Sequence, residues 1–91
     1  VAELIRTDGT RQTVTPAAGA GAAFTLDELY RHTGASTIEI VHTHDGRLLV
    51  LDEEGKLRER AYNVPATRLY LYGAADPIVG DVLVCDLGEL E

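Results

Sequence analysis

The sequence predicts a single α+β domain: a mixed sheet of about five strands with one amphipathic helix and one short helix, ordered hairpin, helix, hairpin, short helix, strand. Three observations predict it. Two Asp-Gly pairs, Asp8-Gly9 and Asp45-Gly46, each sit between strand-like runs. A Thr-x-x-Glu capping box, Thr25 to Glu28, opens a stretch of helical apolar spacing. The run from Ile78 to Leu87 is apolar enough for a strand covered on both faces.

The first hairpin spans residues 2–15, because Asp-Gly supplies the two positive φ angles of a tight primed turn between Ala2–Thr7 and Thr10–Thr15. The Ala/Gly-rich stretch 16–23 reads as a flexible connection within the domain, without the Lys-Ser/Thr of a phosphate-binding loop. Thr25 caps a helix that should begin at Leu26 and stop near Thr33. Phe24 and Leu29 take the staple positions, Leu26, Leu29, Tyr30 and Thr33 form its apolar face, and Gly34 fits the left-handed terminating position. His32, in the last turn, complements the helix dipole.

The second hairpin runs from Thr37 to Asp52 around Asp45-Gly46. A two-residue loop there pairs His44 with Arg47, His42 with Leu49 and Ile40 with Leu51, placing Ile38, Ile40, Leu49 and Leu51 on one face with both histidines. Glu39, Val41, Thr43, Leu48 and Val50 take the other face, so both faces need some cover. Asp52 to Lys56 reads as a turn with Gly55 at positive φ. Asn63 ahead of Val64-Pro65 marks a short capped helix with proline in its first turn.

This order, with a helix folded across a sheet and an apolar last strand, resembles the β-grasp or ubiquitin-like arrangement. Members of that group that act as modifiers or sulfur carriers expose a terminal Gly-Gly, whereas this sequence closes on Leu87-Gly88-Glu89-Leu90-Glu91, so that activity is not expected. Residue by residue, the chain resembles a small uncharacterised domain family of phages, plasmids and bacterial genomes. The likeness rests on Ile5-Arg6-Thr7-Asp8-Gly9, Leu26-Asp27-Glu28-Leu29, Ile38-Glu39-Ile40-Val41, Glu54-Gly55-Lys56-Leu57, Asn63-Val64-Pro65-Ala66-Thr67 and Ile78-Val79-Gly80-Asp81. At Arg60-Ala61-Tyr62 the chain departs from the Leu-Pro common in that family. The resemblance implies a mobile-element accessory role and carries no established chemistry.

Fifteen acidic against eight basic residues give a net charge of −7, which repels phosphate backbones and anionic membranes. Direct nucleic-acid binding is therefore not expected. No apolar run approaches the roughly 20 residues that cross a bilayer. No leader pattern opens the sequence at Val1, where a starting Met is read as removed or lying outside this sequence, and a cytoplasmic location is expected. The single cysteine, Cys85, allows neither an internal disulfide nor a thiolate metal cage, and its apolar strand next to Asp86 disfavours a nucleophilic thiolate.

The preferred function is a non-catalytic acidic binding protein that docks on a basic host protein, as an accessory or inhibitor. Asp76, Asp81, Asp86 and Glu89 are its partner-binding residues, from a stretch with five acids and no base. The alternative is a ligand- or nucleotide-sequestering oligomer in which Arg58, Arg60, Arg68, Asn63 and Thr67 meet an anion. A second alternative is a small metal-dependent enzyme at His42 and His44 with Asp45, imidazoles on alternate strand residues being able to converge. The preferred reading needs no cofactor.

Overall fold

Both Asp-Gly turns form, and both are one residue longer than a primed turn. The computed structural model describes residues 2–19 and 21–90, so Val1 and the Ala20 step of the connection lie outside the described residues. Gly9 and Gly46 have φ of 90° and 86°, but among the described residues Glu59 is the only non-glycine at positive φ, so neither aspartate adopts the primed geometry. Instead the Arg6 amide donates to the Thr10 carbonyl (2.9 Å) and the Thr43 amide to the Arg47 carbonyl (3.0 Å), closing three-residue loops.

Side chains stabilise the extra residue. Asp8 accepts the Thr10 amide at 2.9 Å. The Thr43 hydroxyl donates to the Asp45 carboxylate and accepts the Arg47 amide at 2.8 Å, while the Arg47 guanidinium reaches Asp45 at 2.8 Å.

The elements are β1 (Ala2–Ile5), β2 (Arg11–Val14), α1 (Leu26–Thr33), β3 (Ile38–His42), β4 (Leu48–Asp52), α2 (Val64–Leu69) and β5 (Val82–Cys85), followed by a 3-10 turn at Leu87–Glu89. The sheet order is β2-β1-β5-β4-β3. All four strand pairings are antiparallel, and among the described residues parallel pairing is confined to the bridge between Phe24 and Leu90. The longer loop moves the β3–β4 register by one from that of a two-residue turn. Ile40 faces Val50, Val41 faces Leu49 and His42 faces Leu48. A one-residue slip exchanges the faces. Ile38, Ile40 and His42 therefore share a face with Leu48 and Val50, while Glu39 and Val41 share the other with Leu49 and Leu51.

Each face has its own core. Under α1 lie Phe24, Leu29, Leu48, Val50, Leu83 and Cys85. On the α2 side lie Ile5, Leu49, Leu51, Ala66, Val82 and Val84. Every residue of β4 and β5 is buried, which accounts for their near-continuous apolar runs. Helix α1 has the expected bounds, capping box and left-handed Gly34. Leu26, expected on its buried face, is instead 50% exposed. Glu28 is buried, and its carboxylate accepts the amides of Thr25 (3.0 Å) and Ala17 (2.8 Å) and so anchors the start of the 16–23 connection to the helix. Gly55 does not have the positive φ expected of it. It is needed for space, since a Cβ there would come within 2.9 Å of Val79 and 3.2 Å of the Asp52 carbonyl.

Helix α2 is placed by Asn63, which is 0% exposed. Its Oδ1 accepts the Ala66 amide (3.1 Å) as the N-cap, and its Nδ2 donates to the carbonyls of Ile5 (3.0 Å) and Gly80 (2.8 Å). One amide thus ties α2 to the end of β1 and to the turn into β5. Replacing Asn63 with Ala removes the cap and the side-chain donor to two buried carbonyls, so urea titration of Asn63→Ala should show a loss of about 3 kcal/mol. Asn63→Asp caps equally well but sets an oxygen against those carbonyls, and should be no more stable than the alanine variant.

The Thr25 and Ala17 amides hold the Glu28 carboxyl below its ordinary value. The unfolded chain then binds the extra proton as pH falls, so this contribution is present above about pH 4.3 and fades below it. Urea titrations across pH should find Glu28→Gln less stable at neutral pH and less sensitive to acid. Asp8, held low by Thr10, and Asp45, held low by Arg47 and Thr43, act in the same direction.

Candidate functional site

The three-residue loop separates the proposed metal ligands. His42 stays in β3, exposed on the α1 face, but His44 lies in the loop, with its Nε2 3.0 Å from the Arg68 carbonyl and its amide donating to Leu69. Asp45 is engaged by Arg47 and Thr43, which hold its carboxyl well below the usual range. The shared face expected for His42 and His44 does not form. Among the described residues no three His, Cys, Asp or Glu side chains gather as a metal cluster.

The five residues proposed for an anion fall into two groups, Arg58 and Arg60 beside Asp52, and Asn63, Thr67 and Arg68 at α2. Arg60 donates through Nε to Asp52 (2.8 Å) and through Nη2 to the Gly34 carbonyl (2.8 Å). Arg58 lies 3.8 Å from both Asp52 and Glu54 and donates to the Ser36 hydroxyl. Asp52, 2% exposed, is the buried anchor of this loop and also accepts the Glu54 amide at 2.9 Å. Asn63 is occupied as described. The Thr67 hydroxyl donates to the Asn63 carbonyl (2.8 Å) and accepts the Ile78 amide (2.9 Å). Arg68 is exposed beside Tyr62, Val64 and Pro77 on the outer side of α2.

The four acids expected to bind a partner occupy different places. Asp76 pairs with Lys56. Asp81 accepts the Thr7 amide (3.1 Å) at the start of β5, whereas Asp86 and Glu89 cap the 3-10 turn at its other end. At about 3.3 Å per residue, β5 sets Asp81 and Asp86 about 16 Å apart.

A different acidic set converges at the β3 edge. The observed register puts Glu39 opposite Leu51 and diagonal to Glu53 on the α2 face. There Glu39, Asp52, Glu53, Asp76, Lys56 and Tyr70 line a depression of about 80 Å³. The single amine is raised above its ordinary value chiefly by its hydrogen bond to Asp76, and Glu39 adds to this. Burial, followed by Asp76 and Glu39, raises the Tyr70 phenol. The depression thus gathers four carboxylates against one amine, a local excess of negative charge. Glu39 and Glu53 escape a reading based on runs of acids, because only the correct hairpin register brings them together.

The other face of the same edge is apolar. Phe24, Leu26, Leu29, Ile38, Ile40 and Leu90 line a groove of about 290 Å³ between α1 and β3. Leu26 and Ile40 are 50% and 46% exposed along it. No helix among the described residues is long and apolar enough to cross a membrane.

A family model described as a domain of unknown function, DUF3846, matches residues 4–91. No curated protein and no solved structure matches the chain.

Cys85 is buried, and burial pushes its thiol up to about 11, with Glu89 and Asp86 adding to the effect. Alkylation at pH 8 should leave Cys85 unmodified in the native protein and label it in urea. Rapid native labelling would contradict this placement.

Proposed function

We propose that this chain, which belongs to the DUF3846 family, is a non-catalytic binding protein that docks on a basic surface of a partner protein. The carrying observation is the distribution of its charges. Of the eight Lys and Arg residues, Arg11, Arg47, Lys56, Arg58 and Arg60 are in ion pairs with the chain's own acids. The net charge of −7 is therefore carried by acids in excess, including exposed Glu39 and Glu53 beside Asp76. A field of that sign steers a basic protein toward the β3 edge. A partner whose own nucleic-acid site is basic is one form of this reading. The setting we propose is cytoplasmic, as an accessory or inhibitor encoded by a phage or plasmid, in line with the family resemblance.

Affinity capture from the source cell, followed by mass spectrometry at increasing salt, tests the reading. The captured protein should be basic and should be lost as salt rises. Reversing Glu39 and Glu53 to lysine should weaken capture about tenfold and flatten its salt dependence, with a smaller effect from reversing Asp81 and Asp86. Capture that is insensitive to salt and to both reversals would overturn the proposal.

A further inference from the structure

We propose that the free edge of β3 is a strand-docking site for an extended partner segment in which apolar and basic residues alternate. The inference rests on the reading of the chain as a binder of basic proteins, and it names the surface and the form of the ligand. β3 is an outer strand of the sheet. The Glu53 amide donates to the Thr37 carbonyl and the Thr43 amide to the Arg47 carbonyl, each at 3.0 Å, so odd-numbered β3 residues turn their backbone groups toward β4. Antiparallel pairing alternates, and the even-numbered residues face outward. At one end that edge is already in use. The Leu71 amide donates to the His42 carbonyl and the His44 amide to the Leu69 carbonyl, both at 3.1 Å, with Tyr70 bridged to Thr43. This short pairing stops before Ile40. The outward N–H and C=O groups of Ile38 and Ile40 have no partner among the described residues.

The flanking faces specify the occupant. An added strand alternates its side chains between the two faces of the sheet. On one side they meet the apolar groove of Leu26, Leu29, Ile38 and Ile40. On the other they meet Glu39, Glu53 and the Asp76–Lys56 ion pair, a net negative surface. The opposite outer strand, β2, offers only Arg11, Gln12 and Thr13 as exposed side chains, whereas β3 carries neither the lysine nor the proline that usually protects an edge. A second copy is the wrong partner. Each copy carries −7, and pairing Ile38 of one copy with Ile40 of another sets their Glu39 side chains opposite each other.

The test uses fluorescent peptides that alternate lysine or arginine with valine, leucine or isoleucine, titrated into the intact chain. These peptides should bind, and exchange of the Ile38 and Ile40 amides should slow at least tenfold in the complex, while peptides alternating glutamate with the same apolar residues should not bind. Two versions methylated on alternate backbone nitrogens, in the two frames, form the decisive pair. A docked strand uses one set of amides only, so one version should bind like the parent and the other at least tenfold more weakly. Because the change lies on the peptide, folding of the chain is not at issue. In the chain, Ile40→Pro removes an outward donor and keeps the β4 ladder, and should weaken binding at least tenfold, as should Leu26→Asp.

Failure of all the basic peptides to bind, equal binding of the two methylated versions, or unchanged exchange at Ile38 and Ile40 would overturn the proposal. Capture of a basic partner that survives Ile40→Pro would overturn the edge site alone and leave the broader reading standing. Failure of the wild-type chain to capture a basic protein in a salt-sensitive way would overturn the broader reading.

Discussion

Thr43 and Asp45 admit a third residue into the β3–β4 loop, and the register that follows determines what every side chain of that hairpin meets. Leu48 and Val50 pack under α1 while Leu49 and Leu51 pack on the α2 side, so β4 has no solvent face. The same register places Glu39 near Glu53 and gives the outer strand one apolar and one acidic face. With the shorter turn, both histidines would lie beside Ile38 and Ile40 and the acids would be separated. A few local hydrogen bonds at a loop thus fix the chemistry of an edge several residues away.

The parts of the fold that could be read from sequence are those set by neighbours in the chain. Helix α1 begins and ends where Thr25, Glu28 and Gly34 place it, because capping acts over one turn. Helix α2 follows Asn63 and Pro65 for the same reason, and the apolar run near the C-terminus is the central strand. Distant partners were not legible. Asn63 reads as a cap, but its bond to Ile5 spans 58 residues, and nothing local announces it. Glu28 is a capping-box residue in the sequence and also an anchor for Ala17 in the structure. The candidate site was the least legible, since Lys56 meets Asp76, and both meet Glu39, only after the sheet is assembled.

Between β4 and α2 the chain has no regular element, yet it is firmly connected. Buried Asp52 accepts Arg60 and the Glu54 amide, Arg60 continues to the Gly34 carbonyl at the end of α1, and Gly55 fits under Val79. Arg60 also lies across Gly80, where a Cβ would come within 2.8 Å of its Cδ. Two arginines that resemble an anion site in sequence therefore serve as internal ties between the two sides of the sheet.

The middle position of β5 also has a consequence for how the molecule comes into being. The strand that joins β1 to β4 is the last of the five to leave the ribosome. Until it arrives, the N-terminal hairpin and the β3–β4 hairpin are two separate pieces with their inner borders open to the surroundings. Assembly of the sheet is therefore held back until β5 has been made, and until then both inner borders are open to wrong pairings and to the cell's folding helpers.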